Sequence, residues 1–169
     1  MINMRMRKEY ANYANLIVRL LKGKLKGNMV SVVLFGSVAR REAGEGSDID
    51  LLVVVKEFKT FRSRFDVFDE VEKELKDSKE YHELKERKFG ALVSPIPLTT
   101  EEINKSPSIL LDVVTDGIIL YDTDNFMGNY LNKLRKKLEK IGARKIFLGD
   151  GKWYWDLKPD YKLGEVVEI

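Results

Sequence analysis

Two short runs, Met29 to Phe35 (MVSVVLF) and Ile49 to Val55 (IDLLVVV), are almost wholly apolar and rich in β-branched residues. This is the pattern of strands covered on both faces. A chain holding such a pair must supply helices to two sides of a sheet, and the sequence between and around them provides the candidates. Tyr10, Tyr13, Leu16, Ile17, Leu20 and Leu21 recur at helical intervals and predict an amphipathic helix over about 6–22. Phe61, Phe65, Phe68, Val71 and Leu75 predict another over about 61–78.

A third strand is expected at Phe89 to Ile96, with Pro95 and Pro97 forcing its end to an edge or an exit. Thr99 or Thr100 with Glu102 marks a helix start, Ser108 to Thr115 a short helix, and Gly117 to Tyr121 a further strand. A basic helix follows from about 124 to 141, and Lys145 to Leu148 and Lys152 to Leu157 flank Gly149-Asp150-Gly151 as a hairpin. The expected fold is α+β: a small mixed β-sheet flanked by helices, with a C-terminal helix and β-hairpin appended. Residues 1–122 form the main domain and 123–169 the accessory element.

Composition narrows the chemistry. The 169 residues include no Cys and one His, His82, so thiol chemistry and Cys or His metal clusters are excluded, and any metal must be held by oxygen. Gln is absent and 34% of residues are charged, a usage that fits a thermophile. The start MINMRMRKEY lacks the apolar stretch of a signal peptide, and no membrane span is evident, so a cytoplasmic protein with no membrane partner is expected. The net charge of +3 hides polarity: residues 1–28 hold seven Lys or Arg against Glu9, and residues 131–145 hold seven against Glu139. Attraction of a polyanion is one reading, but two amphipathic helices with solvated basic faces is the plainer one.

The informative stretch is Leu34 to Val55, LFGSVARREAGEGSDIDLLVVV. A buried strand ends in Gly36-Ser37 before a short helix, where backbone N–H groups favour a phosphate. Gly36 lets the backbone come close, Ser37 adds a hydroxyl donor, and Arg40 adds a guanidinium able to pair with phosphate oxygens. Asp48 and Asp50 are separated by one residue at the start of a strand, so period two points both carboxylates to one face. Two such carboxylates repel unless neutralised. Mg²⁺, which combines a few carboxylates with water and substrate phosphates, does so.

With Ala39, Ser47 and Leu51, these residues resemble the polymerase-beta-like nucleotidyltransferase superfamily, specifically its archaeal and bacterial minimal nucleotidyltransferases. The resemblance covers about 12–122. It implies an enzyme that binds a nucleoside triphosphate, ATP foremost, with Mg²⁺ (or Mn²⁺), and transfers the nucleoside monophosphate to a hydroxyl of a protein, RNA or small molecule. By the same resemblance, Asp48 and Asp50 are the catalytic metal ligands, Gly36 and Ser37 hold the β and γ phosphates, and Arg40 assists. Two departures stand out. Arg41 takes the place of a glycine usual after the helix arginine, and the expected third strand carries no third carboxylate, its one polar side chain being Ser94. That second departure gives a rival reading: a nucleotide-binding regulatory or antitoxin-like partner protein without turnover.

Other residues take plainer readings. His82 lies among charges and reads as a surface residue. Glu83, Glu86, Asp112 and Asp116 read as solvated or capping residues. Trp153 and Trp155 share one side of the hairpin, where packing is a simpler role than stacking on a base. The Leu131, Leu134, Leu138 and Ile141 stripe reads as a docking helix or protomer interface, which leaves a homo-oligomer or a partner protein open.

Overall fold

The computed structural model describes residues 6–149 and 152–166. Its main sheet has four strands: β1 (Met29–Phe35), β2 (Ile49–Val55), β3 (Val93–Thr99) and β4 (Ile118–Asp122). Their order is β3-β2-β1-β4, with β2 and β3 parallel and the other neighbours antiparallel. Both central strands occupy the residues read from their apolar runs. Every residue of β1 is buried, and every residue of β2 except the half-buried Asp50.

Alternation sorts the side chains of these strands into two cores. Val32, Leu34, Leu51 and Val53 face one side, where α1 (Lys8–Leu25), α3 (Ser63–Lys76) and α4 (Lys79–Glu86) pack through residues including Ile17, Leu21, Val71, Leu75 and Leu84. Val33, Phe35, Leu52 and Val54 face the other. There α5 (Thr100–Asn104), α6 (Leu110–Asp116) and α7 (Phe126–Lys140) contribute Ile103, Leu110, Val113, Met127, Leu131 and Leu134. Each large aliphatic side chain so buried contributes about 1.5–3 kcal/mol. The short α2 (Gly36–Arg40) caps the end of the sheet, and a hairpin of β5 (Arg144–Gly149) and β6 (Lys152–Asp156) forms its own two-stranded sheet. No helix among the described residues is long and apolar enough to cross a membrane.

Two sequence expectations need correction, and a third is narrowed to one of its alternatives. The helix expected over 61–78 ends at Lys76, and α4 follows where no element was expected. Leu84 is the one buried residue of α4, too few for a readable stripe, and Ser78 caps the helix by accepting from Tyr81 N–H. Strand β3 starts four residues later than Phe89 and contains both prolines. At the edge of the sheet a missing N–H that points outward leaves no neighbour unpaired. Thr99, not Thr100, is the N-cap of α5, in a full capping box with Glu102. The Asp150-Gly151 part of the expected hairpin turn lies outside the described residues.

Candidate active site

The ends of β1 and β2 that carry Phe35 and Asp50 are paired across the ladder, so the turn after β1 meets the start of β2. Gly36 has φ +72°, and a Cβ built on it would overlap Asp50 Oδ2. Only glycine suits both the left-handed conformation and this approach. The Gly36-Ser37 turn and the Asp50 carboxylate are therefore in contact. Ser37 and Val38 carbonyls close α2 by accepting from Glu42 and Arg41 N–H groups, while the Ser37 hydroxyl makes no hydrogen bond among the described residues. Arg41 ends the helix at φ +65°, the conformation that explains why a glycine there is the easier choice.

The loop to β2 is stapled down. Ser47 Oγ accepts from Gly44 N–H at 2.9 Å, Ile49 N–H donates to Leu92 O at 2.8 Å, and a Cβ on Gly90 would overlap Ser47 O. These contacts set the exposed Asp48 just before the first residue of β2, two residues from Asp50 and near enough for its charge to act on that carboxyl. Burial raises the Asp50 carboxyl above its ordinary pKa of 3.8; the Asp48 charge adds to this and Arg40 opposes it. Neither carboxylate accepts a hydrogen bond or ion pair among the described residues. The pair thus stands beside the unengaged Ser37 hydroxyl with no direct partner among the described residues, an oxygen set that fits a divalent cation completed by phosphate oxygens. No group of three or more acidic or histidine side chains fit to hold a metal occurs among the described residues.

Ser94 stands directly opposite Asp50 in the parallel β2–β3 ladder, which puts both side chains on one face. Beside the loop, a small open cleft lies between Tyr13, Ser47, Asp48, Glu72, Tyr81 and Lys85, on the α1, α3 and α4 side of the sheet. His82 is exposed, as read, with its ring edge-on to Tyr81.

Arg40, at the end of α2, is held by two acidic partners. Its Nε donates to Glu42 Oε2 at 2.7 Å and its Nη1 to Asp116 Oδ2 at 3.3 Å. Asp116 and Asp112, read as solvated or capping, belong instead to this partly buried cluster. Burial raises the Asp112 carboxyl, with Lys145 and Arg40 opposing and Asp116 adding. Two acids four residues apart on the mostly apolar LLDVVTD were the signal available in the sequence.

Residues 16–126 match the family model described as polymerase beta, nucleotidyltransferase. The provisionally named protein adenylyltransferase MJ1305 of Methanocaldococcus jannaschii is 32% identical over 134 residues, covering 78% of this chain and 83% of that one. A second chain from the same organism, provisionally named protein adenylyltransferase MJ0141, is 38% identical over 72 residues, 43% of this chain and 62% of that one. Spectinomycin adenyltransferase from Enterococcus faecialis, solved with ATP and spectinomycin, shares the fold at TM-score 0.50 and 14% identity, over 78% of this chain and 66% of that one.

Proposed function

The chain belongs to the polymerase beta nucleotidyltransferase family, and from that premise we propose that it transfers a nucleoside monophosphate from a nucleoside triphosphate, ATP first, to a hydroxyl group. The acceptor oxygen bonds to the α-phosphorus, the bond to the β-phosphate oxygen breaks, and pyrophosphate leaves with the electron pair while the hydroxyl proton passes to water. The observation that carries this reading is the contact between Gly36 and Asp50, which joins a phosphate-binding turn to a carboxylate pair.

In this reading Asp48 and Asp50 hold Mg²⁺ or Mn²⁺, and the mutual repulsion of two carboxylates that lack a hydrogen-bonded or ion-paired partner among the described residues supports the assignment. Bound there, the cation supplies charge neutralisation and polarisation of phosphate oxygens. Gly36 and Ser37 bind the β and γ phosphates through backbone N–H groups and the unengaged Ser37 hydroxyl, and Arg40 contributes its remaining donors. The similarity to two protein adenylyltransferases, so named provisionally, supports a protein hydroxyl as acceptor and does not favour a regulatory protein without turnover.

The test is pyrophosphate release from each of the four nucleoside triphosphates with Mg²⁺, in the presence of an extract that supplies acceptors. ATP should give the highest rate and Asp48→Asn should abolish it. Tight ATP binding with no pyrophosphate formed in any extract would sink the enzyme reading in favour of the regulatory one.

A further inference from the structure

Asp116 is shared by two cations. Besides Arg40, Lys145 of β5 brings Nζ to the same Oδ2 at 3.3 Å. The Lys145 side chain is 9% exposed and that of Asp116 13%, and the ammonium sits 4.0 Å from the centre of the Trp153 ring in β6. An enclosed ammonium must be compensated. Asp116 is its one ion-pair partner among the described residues. The hairpin hydrogen-bonds to no strand of the main sheet among the described residues, yet one carboxylate ties it to the arginine of α2.

We propose that Asp116 and Lys145 are positioning residues for the Arg40 guanidinium, which makes the C-terminal hairpin a working part of the triphosphate site. Arginine has five N–H donors. Glu42 and Asp116 each engage one of them, which fixes the plane of the group and leaves three for phosphate oxygens. Lys145 sets how firmly Asp116 holds Arg40. With Lys145 present, the Asp116 charge is divided between two cations, and Arg40 can turn its free edge to the ligand. Without it, Asp112, Asp116 and Glu42 face Arg40 alone, and the guanidinium is drawn away from the phosphates. Lys145 does this without touching the ligand.

The inference rests on the reading that Arg40 meets the β and γ phosphates, and the experiment separates the two. Calorimetric affinities for ATP and AMP with Mg²⁺ are measured for the native protein, Lys145→Met, Arg40→Ala and the double variant. Lys145→Met should lower the ratio of ATP to AMP affinity about five-fold when Arg40 is present. With Arg40→Ala the change should be under about two-fold, the residue of a screened field effect. Lys145→Arg should restore the native ratio.

If Arg40→Ala lowers the ratio but Lys145→Met leaves it unchanged, or lowers it equally in both backgrounds, the positioning role is overturned and the phosphate reading stands. If Arg40→Ala leaves the ratio at its native value, the phosphate reading falls and this inference with it. Lys145→Gln, which keeps a hydrogen-bond donor to Asp116 and removes the charge, replaces Lys145→Met with the same expectations should thermal melts show that the methionine variant does not fold.

Discussion

Replacing Gly36 by alanine perturbs backbone and site at once, by separable amounts. A non-glycine residue in the left-handed region costs about 1–2 kcal/mol, and Gly36 sits at φ +72°. For a chain of this length that is a fall in Tm of about 2–8 °C. The new Cβ would also overlap Asp50 Oδ2 and lie 3.0 Å from Asp50 Cγ and 3.3 Å from Asp50 Cβ. The carboxylate is the flexible end of that contact, so it swings aside and the collision adds little to the stability loss. It does remove Asp50 from its partner Asp48. Mg²⁺-dependent ATP affinity, read by calorimetry as the difference with and without the metal, should therefore fall to the level of Asp50→Ala. In the Gly36→Ala, Asp50→Ala double variant the drop in Tm should persist while the binding loss should not add. A Gly36→Ala protein with the expected lower Tm and native Mg²⁺-dependent affinity would refute the argument that this turn and this carboxylate form one site.

Other variants probe the remaining parts. Ser37→Ala with Arg40→Ala should weaken triphosphate binding more than monophosphate binding and hardly move adenosine affinity; equal calorimetric losses for all three would mean the turn is structural only. Ser94→Asp places a third carboxylate opposite Asp50 on the same face, and should strengthen binding of Mn²⁺ in a titration followed by paramagnetic relaxation; unchanged Mn²⁺ affinity would show that this position does not face the pair. The Asp50 carboxyl is raised in the folded state, first by burial and then by Asp48. Its proton binding therefore favours the folded state at low pH, and that benefit is lost as pH rises from the unfolded value of 3.8 through the folded one. Without divalent metal, Asp50→Asn should thus melt above the native protein near neutral pH, by a stabilisation on the order of 1 kcal/mol or less. The difference should close below the unfolded value, and a native protein that outlasts the variant near neutral pH would contradict the sign.

What could be read from the sequence followed the strength of the local signal. Strands β1 and β2 were legible to the residue because seven buried positions in β1 and six of seven in β2 leave no competing period. Gly36 and Asp50 were legible as separate features, but their contact depends on the Phe35 to Asp50 register, which no local pattern encodes. Helix α4 escaped notice because one buried leucine does not make a stripe. The start of β3 escaped because Phe89 to Leu92 look like strand, yet Gly90 presses against the Ser47 backbone and the ladder begins only at Val93. The Arg40 cluster escaped for a different reason. Glu42, Asp116 and Lys145 come from a loop, a helix and a strand spread over more than a hundred residues, and each taken alone reads as an ordinary surface charge.

The central claim is that Asp48, Asp50 and the Gly36-Ser37 turn form one nucleotidyl-transfer site. Its most direct test is a comparison of ATP labelled at the α-phosphate with ATP labelled at the γ-phosphate, each incubated with Mg²⁺, the native protein and an acceptor-bearing extract, followed by electrophoresis of the macromolecules. Label from the α position should enter a macromolecule, label from the γ position should stay out, and Asp48→Asn and Asp50→Asn should each prevent incorporation. Incorporation of the γ label, or α-labelling that survives both substitutions, would contradict the account.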